Sequence, residues 1–476
     1  MVKGITRRLS EYVTALRFED IPAEAVDRTG RFVLDAVGIA FRASVDSDST
    51  GSIRDGFVAL ARDGKASVFG TELSLSPAHA AAINASLCHS LDFDDTHREG
   101  SVHPGASVVP TVLALAEEHG ADGPQVITAI VAGYDVTCKL AMALDPQSHY
   151  DRGFHPTGTA GVFGATAAGA SLLGLSAEEL ENAFGVNCSQ AAGSMQFFDN
   201  GAWNKRIHPG LAAHNAILAL EFAKRGFVGS SRAIEGDHGV LHAYSDTARA
   251  EVAVSGLGER FEILHTAIKP YPACRYAHAP LDAIIDLVEE HGLVPDDVES
   301  VVIGLPEAGV GLIGRPVERK RAPKNIVDGQ FSMHFLAAVA LTSRRMTWDE
   351  YDLIGDPGVD NLMQRTEVVP DDEASRAYPE QWLSSVEINT RGKRFAERRT
   401  GARGEPELFL EWDEIERKFD DLAEKVLTAD QRLGVKEASR GLSRGEGPRL
   451  LCESLRRPLR HEVDQEFVST AAITGV

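Results

Sequence analysis

The stretch Gly158-Thr159-Ala160-Gly161-Val162-Phe163-Gly164-Ala165-Thr166-Ala167-Ala168-Gly169-Ala170 sets the reading of the chain. Small side chains fill almost every position, which predicts a helix whose backbone lies close against its neighbours. Its glycines tempt a phosphate-loop reading, but neither G-x-G-x-x-G nor a terminal G-K-[ST] is present. Outward from this segment the texture stays helical. Pro22 opens the run Ala23 to Ala40, placed near the first turn as helix starts prefer. Ser176 and Glu179 form a capping box, each able to satisfy the other's free backbone N–H. The apolar stretches over 106–116, 126–144 and 211–223 predict further helices, several of them buried.

Near Phe261 the pattern changes. Val298-Glu299-Ser300-Val301-Val302-Ile303-Gly304 is rich in β-branched residues and ends on a turn residue. Ser385-Val386-Glu387-Ile388-Asn389-Thr390, the turn Arg391-Gly392-Lys393 and Arg394-Phe395-Ala396-Glu397 predict a hairpin. Gly355-Asp356-Pro357-Gly358 and Pro370-Asp371-Asp372-Glu373 predict loops. Helical texture returns at Trp412. The fold class is therefore mainly α with an α+β second domain. A large all-helical domain is formed by both chain ends, residues 1–265 and 401–476, and an α/β domain is inserted over 266–400. The last dozen residues are expected to fray.

The chain has 476 residues, with 70 Asp and Glu against 48 Lys and Arg, a net charge of −22. So acidic a surface repels nucleic acid and anionic lipid, which argues against either as a partner. An anionic small-molecule substrate would need a local basic exception. The five cysteines are widely spaced, with no C-x-x-C, so neither a disulfide framework nor an iron–sulfur cluster is suggested. No apolar signal core opens the chain, and no run of about 20 apolar residues is visible. These features predict a reduced, cytoplasmic protein.

Twelve of the 16 histidines fall between His89 and His278, and four clusters there combine them with other functional groups. In the first, Leu91-Asp92-Phe93-Asp94-Asp95-Thr96-His97 precedes His103-Pro104-Gly105. On a helix Asp92, Asp95 and Thr96 would share a face, and a carboxylate face feeding a loop histidine suits acid–base work. A Mg²⁺ site is the rival reading of that carboxylate group. In the second, His155 enters the Gly/Ala-rich helix, where a helix N-terminus keeps an imidazole neutral. The third, Trp203-Asn204-Lys205-Arg206-Ile207-His208, sits before the helix expected over 211–223 and would make an anion trap. The fourth runs from Lys269 through Cys274 and Arg275 to His278 at the expected domain junction. No H-e-x-x-H-type metal spacing and no G-x-S-x-G elbow is present. The four clusters together describe one kind of pocket, with several cations to hold carboxylates, several histidines and one acidic helix face.

In these four ordered clusters the chain resembles the MmgE/PrpD family, which contains 2-methylcitrate dehydratases, cis-aconitate decarboxylases and iminodisuccinate epimerases. The resemblance runs from the helix after Pro22 to about Val426. It implies a helical domain with an inserted α/β lid, a homodimer, and a cofactor-free active site between the domains. By motif match the catalytic set is His103, Asp92, Thr96, His155, Lys205, Lys269 and His278. Lys205, Arg206, Lys269, His208 and Arg275 would bind substrate. The stretch Asp328 to Phe335 resembles a family motif that often ends in Tyr, so a hydroxyl expected near the pocket is absent. The chemistry implied is proton removal beside a carboxylate, with an enolate-like species held by fixed cations. Dehydration of a citrate-like di- or tricarboxylate is the first expectation, decarboxylation or epimerisation the second. A non-catalytic carboxylate-binding or scaffold protein is the alternative of another class.

Overall fold

The computed structural model describes residues 4–378 and 381–456. The expected fraying of the last dozen residues concerns positions outside this range. The chain forms two compact units, one reaching Ala267 and resuming at Trp412, the other spanning Ile268–Glu411.

The first unit is helical. Its elements are α1 (Ile5–Ala15), α2 (Ala23–Asp46), α3 (Pro77–Cys88), α4 (Pro104–His119), α5 (Gly123–Ala143), α6 (Pro156–Thr159), α7 (Gly161–Leu173), α8 (Ala177–Asn187) and α9 (Asn204–Ala223). From the later part of the chain come α12 (Trp412–Ala423), α13 (Ala429–Ser443) and α14 (Arg449–Leu455). Pro22 is the N-cap of α2, and Ser176 and Glu179 close the capping box of α8 as expected. The Gly/Ala segment becomes α6 and α7, and α7 packs on α5. A Cβ on Gly164 would sit 1.7 Å from Thr137 Oγ1 and 2.7 Å from Gly133 O, so only glycine permits this approach. α5 is long and apolar enough to cross a membrane, with mean hydropathy 1.5, but its whole apolar window is buried in the unit. Asp135 and Lys139 lie within it, paired to other residues of the fold. It is a core helix.

α12 and α13 pack on α2, and α14 packs on α13 and α4. The later segment thus completes the core of the first unit. A two-stranded ribbon joins β1 (Thr96–His97) to β2 (Thr266–Ala267).

The second unit carries a four-stranded sheet of order β4-β3-β5-β6, with β3 Val298–Leu305, β4 Thr366–Pro370, β5 Ser384–Thr390 and β6 Lys393–Arg399. β3 runs parallel to β4 and antiparallel to β5. The expected hairpin is β5–β6, turning at Gly392 with φ 82°. Helices α10 (His278–His291) and α11 (Met333–Ser343) accompany the sheet. Two loop expectations need correction. Pro370 ends a strand, and Asp371 caps a short helix over Asp372–Ala377 by accepting from Glu373 and Ala374 N–H. Asp356 likewise caps the helix Pro357–Gln364.

Candidate active site

The first unit brings together the end of α3, the loop to β1, and the N-termini of α4, α6 and α9. The predicted helical face of Asp92, Asp95 and Thr96 does not form. α3 stops at Cys88, residues 89–95 are irregular, and Thr96 lies in β1. Asp92 adopts φ 53°, a left-handed conformation that costs a non-glycine residue on the order of 1 kcal/mol. Asp95 turns inward: Gly105 N–H donates to both its oxygens at 3.1 Å, so it caps α4. Burial first, then Asp94, pushes its carboxyl well above the usual range.

His103 is the N-cap of α4. Its Nδ1 lies 2.6 Å from Asp95 O, 3.4 Å from Thr96 Oγ1 and 3.5 Å from Asp94 Oδ2. A carbonyl only accepts, so Nδ1 carries the proton and the neutral ring keeps its lone pair on Nε2. Thr96 is held by its neighbour in β1, since His97 Nε2 meets the buried Glu262 at 3.1 Å and Lys139 Nζ meets it at 2.8 Å. Burial alone would raise the Glu262 carboxyl, but His97 and Lys139 bring it down to about 2.

Two groups that the sequence reading did not select stand behind His103. His89 Nδ1 lies 2.6 Å from Asp94 Oδ2, and both residues are buried. The His89 ring is 5.0 Å from that of His103 and stacks on His155 at 5.6 Å. His89 Nε2 has no hydrogen-bond partner among the described residues. The available signal was the five-residue spacing of His89 and Asp94, which is meaningful only once the helix is known to end between them.

His155 caps the short α6, and its Nδ1 is 3.1 Å from Nδ1 of His208. One ring must donate and the other accept. Gly193, with φ 149°, passes beside both, its O accepting from His155 N–H at 2.8 Å. Phe197 walls this pair, its ring 6.4 Å from His155 and 6.0 Å from His208. Burial, then the charges of His89 and Lys205, hold His155 well below the normal histidine range and bring His208 down to about 4. Both are neutral at physiological pH. The expected cause, a helix N-terminus, is replaced by burial and the neighbouring charges.

α9 begins at Asn204, earlier than expected, so Lys205 and His208 lie in its first turns. Lys205 Nζ bonds Asp92 Oδ1 at 3.0 Å. Burial lowers this ammonium, but Asp92 outweighs it and the net shift is upward, so the group stays charged. Arg206 points elsewhere, donating to Ser47 and Ser49 Oγ at 3.2 Å.

In the second unit, His278 opens α10 and its Nε2–H donates to Ala273 O at 3.1 Å. Lys269 is buried. Arg275 is engaged by Glu405 through Nε at 2.7 Å and lies over the Trp382 ring at 4.6 Å. Phe335 stacks on Tyr351, whose hydroxyl donates to Pro272 O at 2.6 Å, and Gln330 Nε2 donates to the same carbonyl at 3.1 Å. The 328–335 motif thus braces the Lys269–His278 stretch.

Exposure sorts the first-unit groups by role. Side chains of Lys205, Asp92 and His103 are 29%, 19% and 13% exposed, so a solute reaches them, whereas His89 is fully buried. An ammonium and a histidine whose basic ring atom is Nε2, together with further histidines and a carboxylate, are equipment for moving protons on an anionic substrate. His89, Asp94 and His103 also each place a ligand atom within 4.8 Å of the others, close enough for a metal ion. Both rings already commit Nδ1 to hydrogen bonds, so a metal bound through those atoms would have to displace them.

The fold and these residues define a dehydratase/decarboxylase-type enzyme. Residues 7–253 match the MmgE/PrpD N-terminal domain and residues 271–442 the MmgE/PrpD C-terminal domain, and the chain belongs to that family. Among its relatives is the cis-aconitate decarboxylase of Aspergillus terreus, 25% identical over 74% of this chain and 75% of its own. The cis-aconitate decarboxylase of Homo sapiens is 25% identical over 90% of each chain, and that of Mus musculus 22% over 90% and 89%.

Proposed function

We propose that this protein is a metal-independent lyase acting on a small unsaturated or hydroxylated tricarboxylate, with loss of CO₂ as its reaction. The carrying observation is His103, whose Nδ1 proton is held by Asp95 O so that its basic ring atom is Nε2, in the same unit as the Lys205–Asp92 pair. Dehydration stood first in the sequence reading; the decarboxylases among the relatives favour carbon–carbon cleavage. Lys205 holds a substrate carboxylate. The bond to a second carboxylate breaks, its electron pair enters an enolate-like system, and His103, having taken a solvent proton on Nε2, delivers that proton to carbon and returns to the neutral ring. Cytoplasmic location and a homodimer belong to this proposal, and a solution mass near twice 51.2 kDa is expected.

The test is product analysis by NMR on cis-aconitate, citrate, 2-methylcitrate and amino-dicarboxylates, in deuterated water and after exhaustive chelation. Expected is CO₂ release with one solvent deuteron fixed in the product, unaffected by chelation. His103→Ala should cut kcat by about 10²–10⁴ with melting unchanged. Water loss without CO₂ would make the protein a dehydratase. Loss of activity on chelation, restored by a divalent metal, would replace this mechanism with one built on His89, Asp94 and His103.

A further inference from the structure

Lys418 lies on α12, far from the site in sequence, on the buried stripe of Ile415, Phe419 and Leu422. Its ammonium is 2.5 Å from Asp35 Oδ1 of α2, donates to Phe93 O at 3.1 Å, and sits 3.7 Å from the centre of the Phe93 ring. The Asp35 side chain is 2% exposed and that of Lys418 7%. Burial raises the Asp35 carboxyl to about 6 even though Lys418 opposes it. A buried ion pair gains little stability over an apolar pair of the same volume. What it supplies here is direction, since it fixes a backbone carbonyl in a loop with no regular structure. The residues on either side of that carbonyl's Phe93 are Asp92, which pairs with Lys205, and Asp94, which pairs with His89.

We propose that Lys418, held by Asp35, is a positioning residue that tethers the 92–95 loop through Phe93 O and so sets Asp92 and Asp94 on their partners. The proposal rests on the catalytic reading of that loop. It accounts for a lysine in an otherwise apolar helix face and for the return of the later chain segment to the first unit.

Two double variants isolate the tether, because each removes both charges and leaves no unpaired charge. Asp35→Asn/Lys418→Gln keeps an N–H to donate to Phe93 O; Asp35→Asn/Lys418→Met does not. The Gln pair should keep most of the wild-type kcat, while the Met pair should lose about 10- to 100-fold, the scale of a sub-ångström to ångström misplacement. The low-field imidazole N–H resonance of His89 against Asp94, assigned by its loss in His89→Gln, should persist in the Gln pair and shift or vanish in the Met pair. Equal kcat and equal resonances in the two pairs would overturn the tether. If the Met pair does not fold, Phe93→Leu decides: it keeps the Nζ–carbonyl bond and deletes the ring. An unmoved resonance then supports the tether, and a lost one assigns the effect to ring packing. The resonance is read without substrate, so a wild type without lyase activity would sink the proposed reaction and still leave the tether tested.

Discussion

At the residue scale the site separates what binds from what tunes. Lys205 is a permanent cation, already paired with Asp92 and partly open to solvent. Charge-assisted hydrogen bonds to carboxylates contribute about 1.5–3 kcal/mol, so Lys205→Met should raise KM or lower kcat/KM by roughly 10- to 100-fold without lowering the melting temperature much. Unchanged kinetics in an active enzyme would remove Lys205 from the site. His208 makes a prediction about pH. Its ring falls from the ordinary 6.5 to about 4, chiefly through burial, then through His89 and Lys205. Below pH 6.5 the unfolded chain takes up a proton that the folded ring refuses. Stability present above pH 6.5 is therefore lost as pH falls towards 4, on the order of 2–3 kcal/mol. His208→Asn should flatten that part of the wild-type curve, checked by urea unfolding at several pH values. A variant whose curve parallels the wild type would show that His208 titrates normally. The candidate site was partly legible: Asp92, Thr96, His103, His155, Lys205 and His208 do converge on one region of the first unit. His89 and Asp94 escaped because their pairing depends on where α3 ends, which no periodicity marks.

At the scale of elements, the readings that succeeded were those with a local cause. The capping box at Ser176, Pro22 before α2 and the β5–β6 hairpin each depend on residues within a few positions of one another. The failure at 89–96 has the opposite character. Helical spacing of Asp92, Asp95 and Thr96 is only a local regularity, and Lys205, His89 and Gly105 each draw a different aspartate in a different direction. Partners distant in sequence override such a pattern. The Gly/Ala stretch lies between these cases, because small residues announce close packing without naming the neighbour. Here the neighbour is α5, and Gly164→Val should be severe. Its side chain would collide with Thr137 and the Gly133 carbonyl, and overpacking costs about 1–3 kcal/mol or more. Thermal melting would register a drop of several degrees; an unaffected melting temperature would mean that α5 and α7 separate easily.

At the scale of the molecule, a charge of −22 demands a local basic exception if the substrate is an anion, and Lys205, paired with Asp92 and partly exposed, is the cation that the proposed reaction would use. The mainly α architecture with its α/β insertion was legible from the change of texture near Phe261 and its reversal at Trp412. What composition could not show is that the later helices, packed on α2 by an apolar stripe, carry a buried ion pair to it, since Lys418 reads in sequence as one more polar residue of a helix. That arrangement has a consequence during synthesis. Once α2 and the 92–95 loop have been synthesised, residues 96–411 must still be translated before α12 appears. At ordinary elongation rates this takes roughly 15–65 s. Throughout that interval Asp35 is without its lysine and the apolar face of α2 is bare, so the nascent chain is a natural client for chaperones, and a ribosome stalled within the insertion holds a first unit that cannot close.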